Sequence, residues 1–171
     1  LLVFIFLIIF LEMVLGNKIY VNKLNCGYLH CSANYFYKNN IYKGKKIINY
    51  KKDKYGFRGL RKKVNEIDIL TVGGSTTDQR YLETEDTWPE KLEFIINSKN
   101  PNYDFDIVNA GIDGQSTYGH LWNFENWFKK IKNFKTKYIF FYIGINEYFS
   151  NTTNIYDHGY EYLNFSQKIK L

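Results

Sequence analysis

The chain has 171 residues, 45% of them hydrophobic and 23% charged, with a formal net charge of +6. Those fractions are those of a globular protein, not of a disordered or fibrous one. The lysines are scattered through 43–54 and 129–137 instead of forming one stripe. They read as a solvated basic surface with at most a weak attraction for anionic lipid or polysaccharide, and no nucleic-acid-binding motif is present. The aromatic share of 19% accompanies a composition rich in Lys, Asn, Ile, Tyr and Phe, as AT-rich coding produces.

Leu1 to Leu15 is apolar apart from Glu12. It is shorter than the roughly 20 residues that span a bilayer, and it is hydrophobic all round, not on one face. We read residues 1–16 as a truncated signal-anchor helix, with a cleaved signal peptide and a core helix as the alternatives. That reading makes the rest of the domain extracytoplasmic. In such a compartment Cys26 and Cys31 can pair across a small loop. His30 lies between them, but three candidate ligands in six residues make a poor zinc site, so no metal is expected. Residues 17–64 are polar, aromatic and lysine-rich and read as a juxtamembrane lead-in with short extended pieces. It ends near Tyr55-Gly56-Phe57-Arg58-Gly59, a turn that can pack Phe57 on a sheet edge and pin Arg58 in a salt bridge. The alternative sends Arg58 into a substrate crevice.

Residues 65–171 alternate strand and helix. Three stretches read as buried strands: Ile67–Val72, Phe105–Val108 and Tyr138–Ile143. Thr87-Trp88-Pro89-Glu90 reads as a capping box opening the first helix, with Pro89 in the first turn. Trp88, Leu92, Ile95 and Ile96 form its apolar face. The second helix begins at Ser116 or Thr117 and carries a core stripe of Leu121, Phe124, Trp127, Phe128 and Ile131. Such alternation predicts a parallel α/β sheet. In that architecture strand C-terminal ends share one edge, where ligands bind.

Each strand is followed by a short patch: Gly73-Gly74-Ser75-Thr76-Thr77, Asn109-Ala110-Gly111-Ile112-Asp113-Gly114, and Gly144-Ile145-Asn146-Glu147. A serine, a glycine-rich loop and an asparagine are therefore expected to converge on one crevice, a set suited to attack on a carbonyl. Taken together, the patches resemble the three blocks of the SGNH (GDSL-type) hydrolases. Gly74 stands where that family more often has Asp, and Glu147 replaces the Asp of Gly-x-Asn-Asp. The similarity covers roughly Asp68 to Tyr148.

The resemblance implies a three-layer α/β/α sandwich with a parallel, flavodoxin-like sheet, here incomplete. It also assigns roles. Ser75 is the nucleophile and an oxyanion donor through its N–H, Gly114 donates through its backbone N–H, and Asn146 donates through its side-chain amide. Thr76, Glu147 and Arg58 are candidate substrate-lining residues, although Glu147 is expected to buttress its loop. The family's base comes from an Asp-x-x-His motif that does not occur here. Asp157-His158 has the residue types without the spacing, and His120 reads as a surface or capping histidine. The expectation is a base encoded further along the gene. No cofactor is implied.

The resulting reading is a membrane-anchored serine esterase acting on acyl esters, including acetyl esters, of a cell-surface glycan or lipid. Its alternatives are transfer of the acyl group to a polysaccharide and a catalytically inactive, membrane-tethered glycan-binding scaffold. A nucleotide-binding domain is disfavoured, because neither a P-loop nor Gly-x-Gly-x-x-Gly follows the first strand.

Overall fold

The computed structural model describes residues 2–11, 24 and 26–149. Asp157-His158 lies outside them. Helix α1 (Leu2–Leu11) is apolar along its whole length, and its side chains from Val3 to Leu11 are exposed. Among the described residues nothing buries it. Among the described residues, no helix is long and apolar enough to cross a membrane.

The short helix α2 (Cys26–Leu29) is closed by a Cys26–Cys31 disulfide with Cα atoms 4.8 Å apart. Strands β1 (Asn34–Lys38) and β2 (Ile47–Lys51) form an antiparallel hairpin. Its connecting loop is organised by Asn39, whose carbonyl oxygen accepts from Ile41 and Tyr42 while its amide donates to Tyr42 and Lys45. Ile48 and Tyr50 of β2 are buried, as are Tyr28, Leu29, Phe57 and Val64. The core thus draws on residues well upstream of the first parallel strand.

The sheet proper has three parallel strands in the order β4-β3-β5: β3 (Ile67–Gly73), β4 (Ile107–Asn109) and β5 (Thr136–Tyr142). Helices flank it, so the molecule is mixed α/β. Ile67, Leu70 and Val72 of the central strand pack with Val108, Trp122, Trp127, Phe128 and Ile131. Phe57 stacks on Trp127 at 4.9 Å between ring centroids. A buried aromatic pair of this kind stabilises beyond its area alone.

Three expectations need correction here. Strand β4 begins at Ile107, two residues later than predicted, because Asn97 captures both the N–H and the carbonyl of Phe105. Among the described residues strand β5 is an edge strand, and residues 137–142 are exposed rather than buried. The stripe Trp88-Leu92-Ile95-Ile96 is not the buried face of α4 (Trp88–Lys99), which instead buries Pro89, Glu90 and Glu93 and leaves Ile95 49% exposed. Arg61 is the physical reason: its guanidinium bonds both Glu90 and Glu93, drawing the acidic face inward. Trp88 turns toward β5, with its ring near Phe140 and Tyr142.

The start of α4 falls where predicted, with Thr87 at the N-cap, but the capping box does not form. The Thr87 hydroxyl donates to Thr84 O, Glu90 is taken by Arg61, and the Trp88 N–H is satisfied by Gln79 Oε1 at 2.7 Å. Helix α5 (Thr117–Asn126) opens as expected, then gives way at Trp127 to a 3-10 turn over Phe128–Lys130. Trp127, Phe128 and Ile131 are core residues, whereas Leu121 is 61% exposed, which departs from the predicted stripe. A final short helix, α6 (Ile145–Phe149), follows β5.

Candidate active site

The strand order places the chain's change of direction at β3. The chain leaves β3 for β4 on one side and returns to β5 on the other. Ligand crevices in open α/β sheets form at such a point, beyond the strand C-termini. Ser75 lies there as the first residue of α3 (Ser75–Asp78), a single turn that leaves β3 through Gly73 and Gly74. Both Ser75 and Thr76 are exposed.

The three predicted patches do meet at this edge. Asn146, at the start of α6, donates from Nδ2 to the Gln115 carbonyl at 2.6 Å. A Cβ on Gly74 would lie 2.6 Å from the same Nδ2. The backbone next to Ser75, the Gly114-Gln115 loop and the Asn146 amide are thus mutual neighbours. The amide keeps a second N–H beyond the one given to Gln115. Gly114 has φ +76°, a left-handed conformation that favours glycine. The N–H groups of Ser75 and Gly114 donate to no acceptor among the described residues.

Around this centre the loops are fixed from behind. Asn109 donates to Thr77 O at 2.7 Å and accepts from Gly111 N at 2.8 Å, tying the second patch to the serine turn. Tyr50 donates to Asp78 Oδ1 at 2.7 Å. Burial, then the neighbouring Asp78, push the Tyr50 hydroxyl's ionisation upward, so it remains a donor.

Arg58 is only 1% exposed. It does not reach the crevice, nor does it form the predicted salt bridge. Its guanidinium donates to the carbonyls of Asp78, Gln79 and Leu82 and to Thr84 Oγ1, with Cζ 4.7 Å from the Tyr50 ring centre. Burial holds its pKa below the usual value. Arg58 is thus a clamp on the loop that follows Ser75.

Glu147 also departs from a substrate-lining role. Its Oε1 accepts from both the N–H and the hydroxyl of Thr117, so it caps α5 from outside. Burial pushes its carboxyl upward, but the hydrogen bonds together outweigh it and hold the group below the ordinary range. His120 is buried, 3% exposed, and lies near Glu147, so it is not a surface histidine.

Ser75 and Thr76 line a cleft of about 460 Å³ together with Tyr42, Tyr81, Trp88 and Tyr142. Its polar wall holds Gln79, Arg80 and Asp113, with Arg80 Nη2 3.0 Å from Asp113 Oδ2. Aromatic walls with a few convergent polar groups are the usual make-up of a small-molecule site. Sequence reasoning missed Tyr42, Tyr81 and Arg80, since nothing in their spacing relates them to Ser75. Among the described residues no cluster of His, Cys, Asp and Glu could hold a metal ion.

The chain matches no protein-family model, and no curated protein is significantly similar to it. The SGNH resemblance rests on the three patches.

Proposed function

We propose that this chain is an SGNH-type serine esterase. It carries the nucleophile and oxyanion donors of an acyl-ester hydrolase on a three-layer α/β/α sandwich. The observation that carries the proposal is the meeting of Gly74-Ser75, the Gly114-Gln115 loop and the Asn146 amide at the C-terminal edge of a parallel sheet.

In this reading Ser75 Oγ attacks the ester carbonyl carbon, and charge develops on the carbonyl oxygen. The N–H groups of Ser75 and Gly114 and the second N–H of Asn146 are the donors that stabilise that oxyanion. The Ser75 proton passes to a base and then to the departing alcohol. Water next cleaves the acyl-serine, releasing the acid and restoring the hydroxyl. The SGNH pattern supplies the base from Asp-x-x-His, and the proposal places that histidine outside residues 2–149.

The cleft's size and aromatic walls suit an acyl group carried on a sugar or lipid. The exposed apolar surface of α1 supports attachment to a membrane, because an all-apolar helix has no face to turn to water. The test is turnover of an activated acetyl ester by the full-length protein. Ser75→Ala is expected to abolish it, and Asn146→Ala to lower kcat by about 10²–10³-fold, the usual loss of one oxyanion donor. Undiminished turnover in Ser75→Ala would overturn the proposal.

A further inference from the structure

Behind the serine cleft, and sharing Asp78, Arg80 and Asp113 with it, lies a second cavity of about 290 Å³. Its remaining wall includes His30, Tyr50 and Lys52. Lys52 is unusual there, being 5% exposed. Its Nζ donates to the Gly111 carbonyl at 3.2 Å and stands about 6 Å from the Tyr50 and Trp127 ring centres. No carboxylate among the described residues lies within ion-pair distance of it.

The nearby carboxylates are committed elsewhere. Asp78 accepts from Tyr50 on one oxygen and faces Arg80 Nε at 3.5 Å with the other. Asp113 pairs with Arg80. Asp53, next in sequence, accepts from the N–H groups of Tyr55 and Phe57 on Oδ1, while its buried Oδ2 has no hydrogen-bond partner among the described residues and lies beyond ion-pair distance of Lys52. Arg58, the other buried cation here, is spent on the carbonyls of the loop that follows Ser75. An ammonium offers three donors, so Lys52 retains two with no described acceptor. A buried ammonium without a counter-ion is costly unless an anion completes it.

We propose that this cavity is a carboxylate-binding subsite in which a single negative charge pairs with Lys52. Lys52 is the one lysine or arginine of this wall with no carboxylate within ion-pair distance, which calls for a monoanion, and Asp78 and Asp113 on the same wall disfavour a dianion such as phosphate. Two sources share this chemistry: the carboxylate of an acidic sugar, and the free acid released by ester cleavage. The subsite stands on its own geometry and only the released-acid source rests on the esterase reading, so the failure of one is distinguishable from the failure of the other.

Burial, with Arg58 and Arg80 nearby, pulls the Lys52 ammonium down to about 8 against the opposing pull of Asp78 and Asp53. Burial, with Lys52 and Arg80, likewise lowers His30. Arg80 on the same wall stays charged across this range but is held by Asp78 and Asp113, so affinity follows Lys52 protonation.

The test is calorimetric titration of the full-length protein with glucuronate, acetate, and glucose as the neutral control, at constant ionic strength. At pH 7, glucuronate or acetate is expected to bind and glucose not to. Tighter binding of glucuronate assigns the sugar acid as the source, and tighter or equal binding of acetate assigns the released acid. At pH 9.5 the affinity is expected to fall about thirtyfold, as Lys52 loses its proton. Lys52→Met, its fold checked by near-UV circular dichroism, is expected to lose binding. The wild-type pH comparison decides the question if that variant does not fold. Failure of both anions to bind, equal binding of glucose, unchanged affinity at pH 9.5, or binding retained in folded Lys52→Met would each overturn the proposal.

Discussion

Arg58→Lys isolates the loop clamp, because it keeps the positive charge while removing the planar fork. Arg58 donates to three carbonyls and one hydroxyl. A lysine ammonium at the same site is shorter and is a point donor, so it can reach one or two of those acceptors. Hydrogen bonds to a charged donor contribute about 1.5–3 kcal/mol each. Loss of two, offset in part by hydration of the loop carbonyls, gives an expected destabilisation of about 2–5 kcal/mol. That is a large share of the roughly 5–15 kcal/mol that holds a domain folded. Because the acceptors all lie in 78–84, the damage is expected to begin there, ahead of the sheet. Urea unfolding gives the global value, and amide hydrogen exchange locates the loosened segment. A change below about 0.5 kcal/mol, with unaltered exchange over 78–84, would refute the claim that Arg58 holds this loop.

Two further predictions concern stability. Folded Lys52 has its pKa lowered from 10.5 to about 8. The cost of burying its charge is therefore fully present below pH 8 and relieved as pH rises toward 10.5. Lys52→Met is expected to exceed the wild type in stability by up to about 3 kcal/mol at pH 7, less the lost bond to Gly111. That gap narrows by pH 10, and a gap that widens between urea midpoints at pH 7 and pH 10 would contradict the assignment. The double substitution Cys26→Ser, Cys31→Ser is expected to cost about 2 kcal/mol, the chain-entropy value for so short a loop. No change in the thermal midpoint would show that the loop is ordered without its cross-link.

Much of the fold could be read because local signals agreed with it. The apolar run of β3 sits at the sheet centre, and Thr87 and Pro89 opened α4 where expected. The candidate site could be read from its three patches, since each follows a strand and parallel strands end on one edge. What escaped was set by long-range partners. Arg61 inverts the buried face of α4, Gln79 takes over its cap, and Asn97 shortens β4; none of these pairings leaves a periodic trace. Short extended pieces were expected in 17–64, but the pairing of β1 with β2 was hidden, because its alternation is short and rich in exposed aromatics such as Tyr35 and Phe36. Residues such as Arg58 and Glu147 sit inside recognisable patches, yet serve to position backbone. Residue type alone does not separate holding a loop from touching a substrate.

The central claim is that Ser75 is an activated nucleophile held beside the Gly114 and Asn146 donors. Its most direct test is reaction of the full-length protein with a serine-directed fluorophosphonate, followed by mass-spectrometric mapping of the adduct. The account predicts a single adduct on Ser75, lost in Ser75→Ala and slowed in Asn146→Ala. Absence of an adduct on Ser75 while a reference serine esterase is fully labelled, or an adduct on another serine, would contradict it.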